Sequence, residues 1–367
     1  MKLGKFKVGI LDRYIIGKFI GTYLFTIAML IIVIIVFDAV EKIDDFMELN
    51  APLDEILFTY YLNFVPYFIN QFSSLITFIV VIFFTSKMAY DTEIVAMLSG
   101  GVSFSRLMYP YFLSSLVICG LSLALNLFVI PHSNTIRIEF ESQYLKKGTK
   151  GNYVDHIYRQ IDDSTFIYLK GFNSKLRNAE YMVLESYQDD IITKSITARS
   201  ANFDKNTRKW KSTRYISRTM QPNGDYYIEK CDKLDTLINL SDDELAKIED
   251  HVQTLNIKDL NSFVDEQQRK GSNMVTLILV DKYNRFAYPV STFILTLIGV
   301  SLSSRKVRGG TGLHIGTGLG LCFSYILFMR FANEFAKGGV IPAVIAVWVP
   351  NVVYAIIGIE LYRRAPK

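Results

Sequence analysis

The 367-residue chain is 50% hydrophobic and 14% aromatic, yet 20% of its residues are charged. This balance excludes an ordinary soluble enzyme of this size and a chain that lies wholly in a membrane, so we expect membrane-spanning and soluble parts. The formal net charge of +5 is too modest to indicate nucleic-acid binding, and three widely separated cysteines support neither a disulfide framework nor a zinc site.

The first apolar run covers about residues 14–37 and follows a basic segment. At a rise of about 1.5 Å per residue it can cross a hydrocarbon core of about 30 Å. It is longer than the apolar part of a signal peptide and lacks a small-residue cleavage site, which predicts a retained helix running from the cytoplasm outward. Lys42 follows in a short loop among several carboxylates, and this loop suits the outer side.

The second apolar run, residues 56–86, carries no charge and is longer than one perpendicular crossing requires. Pro66 within it predicts a kink or an interfacial first turn. The amides of Asn63, Asn70 and Gln71 are expected to bind neighbouring helices rather than a ligand. A third span is predicted over about residues 107–130, which returns the chain to the outside.

A polar island, residues 87–106, separates the second and third spans. Asp91 or Thr92 can cap a short helix over about residues 91–100, and the two glycines at 100 and 101 can end it. This pattern predicts a two-turn helix at the cytoplasmic membrane surface.

The short helix of the island is amphipathic. Glu93 lies in its first turn, where the helix dipole favours an anion. Ile94, Met97 and Leu98 share one face, and Ser103 can cap the next helix. We therefore expect an apolar edge and an exposed carboxylate that can dock into a partner's groove, and the alternative is an ordinary solvated connection.

The residues from 131 to 273 differ in character from the rest. Charges recur every few residues, and short segments alternate in β fashion between turn residues. The length allows about ten strands, enough for a sandwich or an open jelly roll. Residues 256–270 read as a helical stretch that leads the chain back to the membrane. The chain thus divides into membrane segments at 1–130 and 274–367 with a β domain at 131–273 between them.

Three further spans are predicted at residues 286–304, 309–329 and 338–359. Asp281 and Arg285 are spaced for an i,i+4 ion pair before the fourth span. The basic cluster after that span predicts a cytoplasmic turn, and it consists of Arg305, Lys306 and Arg308. Basic residues also lie at the end of the chain. Six crossings with both termini in the cytoplasm place every basic cluster on the cytoplasmic side.

The fifth predicted span carries glycines at fourfold spacing, namely Gly312, Gly316 and Gly320. Such a stripe lets another helix approach closely. Arg330 ends this span on the outer side, where it can pair with Glu334 or bind a lipid phosphate.

Several motifs resemble those of the LptF/LptG permeases, which are subunits of the lipopolysaccharide-exporting ABC transporter. The spacing E-x3-M-x3-G-x-[ST] after the second span is similar to their cytoplasmic coupling helix, and it is formed here by Glu93, Met97, Gly101 and Ser103. The motif DRYIIGKF before the first span adds to the resemblance, as do NRFAYP at 284–289, the glycine-rich fifth segment and WVPN at 348–351.

The resemblance implies an α-helical protein of the bacterial inner membrane, with six transmembrane helices and a periplasmic β-jelly-roll-like domain between the third and fourth. It implies a permease that extracts lipopolysaccharide and passes it to a periplasmic β-jelly-roll partner similar to LptC or LptA. The further partners that it implies are a sister permease and a cytoplasmic ABC ATPase dimer. The coupling motif fits both LptF and LptG.

The resemblance also gives roles to residues. The residues implied to contact the ATPase are Glu93, Ile94, Met97, Leu98 and Gly101. The glycine stripe is implied to border a mobile seam against the sister subunit. Lys42 and Arg330, near the outer membrane surface, are expected to contact the phosphates of lipid A.

The sequence contains no G-x-x-x-x-G-K-[ST] motif, so ATP has to be hydrolysed by a separate subunit. Its four histidines are isolated, and we predict no metal site, cofactor or catalytic residue. Two alternatives stay open. One is a membrane-anchored scaffold for envelope proteins, and the other is a permease of another lipid-exporting or lipoprotein-exporting ABC system. The ATPase and the lipid that copurify would distinguish them.

Overall fold

The computed structural model describes residues 9–145, 153–173, 177–188, 191–204, 207, 209–237, 248–269, 272, 274–304 and 310–365. The helices are α1 (Ile10–Glu48), α2 (Leu62–Tyr90), α3 (Glu93–Ser99), α4 (Phe104–Ala124), α5 (Ile130–Tyr144), α6 (Ile248–Thr254), α7 (Ile257–Arg269), α8 (Val275–Ser303), α9 (Gly310–Lys337) and α10 (Ala343–Arg364). The strands are β1 (Tyr153–Asp162), β2 (Thr165–Asn173), β3 (Asn178–Ala179), β4 (Met182–Gln188), β5 (Ile191–Ala198), β6 (Ala201–Asp204), β7 (Lys209–Ser212), β8 (Tyr215–Met220), β9 (Tyr226–Cys231) and β10 (Leu234–Leu237). The chain forms two compact units, a helical one that includes Ala51–Arg137 and the residues from Leu279 onward, and a β unit that includes Ile138–Ile278.

Five helical segments among the described residues are long and apolar enough to cross a membrane, and they are Ile10–Glu48, Glu55–Tyr90, Phe104–Tyr144, Val275–Ser303 and Ala343–Arg364. The segment predicted as the fifth of six spans forms the 28-residue helix α9 but is not among these five. The first half of α9 is rich in glycine and threonine. A sixth crossing therefore stays a prediction, and the basic cluster 305–308 lies outside the described residues.

Two predicted boundaries are wrong because helices continue further than the apolar runs. Helix α1 extends to Glu48, so Lys42 lies on this helix and not in a loop. The third predicted span continues through a π-helical turn into α5, which ends at Tyr144. Pro131 lies directly after the π-helical turn, inside the continuous helical segment Phe104–Tyr144. The first residues of the predicted β region are therefore helical.

Helix α1 contacts its bundle through one narrow stripe at helical spacing. The buried members of this stripe are Ile15, Phe19, Tyr23, Ile27 and Ile31. The other sides of the helix carry exposed apolar residues such as Phe25 and Ile32. Because water would not solvate such a surface favourably, an apolar exterior suits contact with lipid.

Polar side chains within the bundle bind one another across helices, as predicted for Asn70, whereas the Asn63 amide donates to the Thr59 carbonyl one turn earlier in its own helical segment. The Asn70 amide of α2 donates to the Asn126 side chain over 2.9 Å, and Ser122 donates to Asn70 over 2.6 Å. Arg285 lies 3.3 Å from Asp281, which confirms the predicted i,i+4 pair. These contacts satisfy groups that would be costly to leave unpaired in a membrane.

The described strands of the β unit form one antiparallel sheet of ten strands. From β3 onward, consecutive strands are connected two by two through two-residue bends: β3 to β4, β5 to β6, β7 to β8, and β9 to β10. The two strands of such a connected pair are not hydrogen-bonded to each other. One member of each pair belongs to the arm β4-β5-β8-β9, and the other belongs to the arm β3-β6-β7-β10. Strand β2 pairs with the start of both arms. This two-armed antiparallel sheet fits the predicted jelly-roll-like domain.

The sheet curls around an apolar core. Trp210 of β7 and Phe172 of β2 are fully buried, and their ring centroids are 5.9 Å apart. These strands are three positions apart in the sheet, which would separate them by about 14 Å if the sheet were flat. The remaining core members come from β1, β2 and both arms, and they include Leu169, Met182, Ala198 and Phe203.

Candidate functional site

The polar island forms α3, a helix of seven residues with a left-handed residue on either side. Thr92 precedes it with φ 62° and Gly101 follows it with φ 86°. The Thr92 hydroxyl donates to the carbonyl of Asp91 over 2.7 Å, so the predicted side-chain cap of α3 is not formed. Ser103 does cap α4, as predicted, because its hydroxyl accepts the Arg106 N–H over 3.3 Å.

Glu93 is half-buried and has two partners, where the sequence predicts an exposed carboxylate. The Tyr14 hydroxyl of α1 donates to its Oε2 over 2.8 Å, and Lys18 Nζ lies 3.5 Å from its Oε1. The Glu93 side chain is 31% exposed. This carboxylate therefore binds α3 to the first turns of α1.

The apolar edge of α3 packs into its own bundle. Ile94 is fully buried, and Met97 and Leu98 pack against the same core cluster. The expectation of an exposed apolar edge is therefore wrong for Ile94, while Met97 and Leu98 are half-buried. The accessible face of α3 consists of Val95, Ala96 and Ser99. Contact between these residues and an ATPase stays a prediction.

A second contact joins the start of α1 to the start of α4. Arg106 binds both carboxylate oxygens of Asp12, with Nη1 2.5 Å from Oδ1 and Nη2 2.6 Å from Oδ2. The Asp12 side chain is only 2% exposed and also accepts the Gly9 N–H over 2.7 Å. Bidentate pairs of this kind are among the stronger hydrogen-bonded contacts in proteins.

The two predicted lipid-contact residues have different environments. Lys42 lies 2.7 Å from Asp38, contacts the Tyr60 hydroxyl, and is 16% exposed. Arg330 is exposed and lines a cavity of about 170 Å³. The ion pair considered between Arg330 and Glu334 is absent from the described contacts, because Glu334 pairs with Lys337 at 3.2 Å. No described contact joins Lys42 to Arg330.

The predicted glycine stripe does not pack within the described chain. Gly312, Gly316 and Gly320 are exposed, and a Cβ added at any of them would meet no described atom within 4 Å. The glycine that packs closely is Gly318, where an added Cβ would lie 2.2 Å from Cδ1 of Ile82. The fourfold spacing thus identified a glycine-rich helix but missed the glycine that contacts α2.

The family model for the lipopolysaccharide export system permease LptF/LptG matches residues 13–364, nearly the whole chain. The chain belongs to the LptF/LptG family. No curated protein sequence matches the chain significantly. Membership makes the chain an integral membrane protein and a permease of the lipopolysaccharide export system, which works with other components of that system. Among the described residues, no group of three or more His, Cys, Asp or Glu side chains could hold a metal ion.

Two motifs that carried the LptF/LptG resemblance meet in space. Asp12, Tyr14 and Lys18 belong to DRYIIGKF, while Glu93 belongs to the coupling-helix motif and Arg106 closes the island. Their distance in the sequence gives no sign of this contact. The available signal was that Tyr14 and Lys18 are spaced i,i+4, which puts two hydrogen-bond donors on one face of α1.

Proposed function

We propose that this LptF/LptG-family chain extracts lipopolysaccharide from the inner membrane and passes it to a periplasmic β-jelly-roll bridge, driven by a separate cytoplasmic ATPase dimer. The observation that carries this proposal is the construction of α3. Its inner face is fixed in the bundle through Ile94, while Val95, Ala96 and Ser99 remain accessible. A partner that pushes on the accessible face would therefore push the membrane bundle as well.

The topology of the proposal has both termini and α3 in the cytoplasm and the β domain in the periplasm. It rests on the charges at the ends of the apolar runs, since Lys and Arg concentrate on the cytoplasmic side. It requires α9 to cross the membrane as a sixth span. The exposed glycines of α9 support a close approach by a sister permease, because they leave its backbone accessible to another helix.

The proposed bridge is formed through an edge of the β domain. Strand β9 ends one arm of the sheet and pairs with β8 in the described part of the chain. Its Tyr226, Tyr227 and Ile228 are exposed apolar residues. An open strand edge is a template for strand addition, so a second β domain can continue the sheet there.

Copurification in mild detergent from the native host tests the proposal. We expect an ABC ATPase, a sister permease and lipopolysaccharide to remain with the chain. Recovery of envelope proteins without an ATPase would instead support the scaffold alternative, and an ATPase with lipoprotein would support another ABC exporter. Either result would overturn the proposal.

A pair of matched variants tests the docking face itself. Val95 is 45% exposed on α3, and Val340, in the connection before α10, is 71% exposed. Val95→Asp puts a charge on the proposed ATPase contact and should lower the amount of ATPase retained. Val340→Asp makes the same change on the proposed outer side and should retain it fully. Equal retention by the two variants would contradict docking at this face.

A further inference from the structure

Three side chains of α1 bind the polar island at two points. At the first point, Asp12 and Arg106 join the start of α1 to the start of α4. At the second, Tyr14 and Lys18 join α1 to Glu93 at the start of α3. The contacting residues are 75 to 94 positions apart in the sequence, so these contacts are tertiary and not part of a local turn.

We propose that these two contacts form a clamp that carries the movement of α3 into the first membrane helix, and that Glu93 acts in it as a positioning residue through Tyr14 and Lys18. The inference rests on the proposed function, because it needs a partner that moves α3. It assigns to Tyr14 and Lys18 a role in coupling that the coupling-helix motif alone does not include.

The backbone around α3 explains why a clamp is needed. Thr92 and Gly101 have positive φ, so neither α2 nor α4 continues into α3 as an unbroken helix. A force on a seven-residue helix between two such turns can be absorbed by rotation at the turns. Side-chain contacts to α1 offer a direct route by which the displacement reaches a helix 39 residues long.

The two contacts differ in exposure, which suggests different tasks. The Asp12 carboxylate is 2% exposed and held by three hydrogen bonds, so this contact works as a fixed point between α1 and α4. Glu93 and Lys18 are 31% and 36% exposed, and their ion pair is longer, at 3.5 Å. Solvent screens such a pair, so the Tyr14 hydroxyl, at 2.8 Å, is the more specific partner of Glu93.

The position of the Tyr14–Glu93 contact favours its use in transmission. Ile15 and Phe19, beside Tyr14 and Lys18 on α1, are buried in the core cluster that also holds Ile94. Phe19 also packs against Tyr111 of α4, with ring centroids 6.2 Å apart, so apolar packing between α1 and α4 accompanies the Asp12–Arg106 contact. A displacement of Glu93 then moves α1 as a packed element and not only one flexible side chain.

Tyr14→Phe tests the clamp because it removes one hydroxyl and leaves the ring. Tyr90→Phe is the matched control, since Tyr90 is 61% exposed at the end of α2 and the same atom is removed. Both variants are made in the full complex with the ATPase and the sister permease, in lipid nanodiscs. The readouts are ATPase retained, ATP hydrolysed, and lipopolysaccharide released per ATP.

We expect the Tyr14→Phe complex to retain the ATPase and to hydrolyse ATP at least as fast as the wild type. The amount of lipopolysaccharide released per ATP should fall about threefold to tenfold, which is the effect expected for one lost hydrogen bond. Tyr90→Phe should release as much as the wild type. A purely structural defect would instead lower ATP hydrolysis and release together. Hydrogen exchange of the amides in α3 should be faster in Tyr14→Phe than in Tyr90→Phe.

Glu93→Gln and the double variant Tyr14→Phe/Glu93→Gln complete a cycle. If both residues act through one contact, the double variant should couple no worse than the poorer single variant. Fully multiplicative losses would overturn the clamp, as would a Tyr14→Phe variant that matches Tyr90→Phe. A wild-type complex that lacks the ATPase would refute the proposed function instead, which is a distinguishable outcome.

Discussion

Substitution of Gly318 by alanine tests the packing of α9 against α2. An alanine Cβ at this position would lie 2.2 Å from Cδ1 of Ile82, which is itself 3% exposed. The two atoms would have to separate by about 1 Å to reach ordinary contact. Overpacking of this kind in a dense core costs about 1 to 3 kcal/mol.

Gly316→Ala is the matched control on the same helix. Both substitutions gain the same helix propensity, up to about 1 kcal/mol, so this term cancels when the two variants are compared. An added Cβ at Gly316 meets no described atom within 4 Å. We therefore expect Gly318→Ala to be less stable than Gly316→Ala by about 1 to 3 kcal/mol.

A second substitution should rescue the first. Ile82→Val removes Cδ1, after which the nearest remaining Ile82 atom lies 3.4 Å from the added Cβ. Alone it should cost about 0.5 to 1.5 kcal/mol, and Gly318→Ala should add little further cost in its presence. Thermal denaturation in detergent, followed by the fraction of protein that stays monodisperse, ranks the four proteins. Equal stability of Gly318→Ala and Gly316→Ala, or no rescue by Ile82→Val, would refute the packing.

Three further predictions concern the β domain, the topology and the substrate. Phe172→Ala should destabilise the β domain by about 3 to 5 kcal/mol because it empties the space beside Trp210, while Tyr227→Ala on the exposed strand β9 should cost far less; urea unfolding followed by Trp210 fluorescence measures both. In a background without native cysteines, an impermeant thiol reagent added from outside should label Asn223→Cys and not Ser99→Cys, and the reverse pattern would contradict the topology. A photocrosslinker at Arg330, which is exposed, should capture more lipopolysaccharide than one at Lys42, which is 16% exposed and paired with Asp38; more capture at Lys42 would show that exposure does not decide the contact.

The sequence predicted the elements well where a single physical property decides them. Apolar runs of about 20 residues suit a membrane span whatever surrounds them, and alternating polarity suits a half-buried strand. The runs did not predict where helices end, because polar helical turns can continue beyond the apolar part. Helix α5 after Pro131 and the last turns of α1 around Lys42 are examples.

Tertiary contacts were harder to predict because they depend on which face of a helix meets a neighbour. Gly318 is two residues from both Gly316 and Gly320, which puts it about 200° around the helix from them. Periodicity defines the stripe but not the side that faces α2. The partners of Glu93 were missed for the same reason, since Tyr14 is 79 positions away and only the packing of α1 brings it close.

We propose that this permease uses ATP hydrolysed by a separate subunit to extract lipopolysaccharide. The most direct measurement is transfer of lipopolysaccharide from proteoliposomes, which contain this chain with its copurified ATPase and sister permease, to a soluble β-jelly-roll acceptor. We predict that transfer requires ATP and all three subunits. Val95→Asp should lower the transfer, and Val340→Asp should leave it unchanged. Transfer that proceeds equally without ATP hydrolysis, or without this chain, would contradict the account.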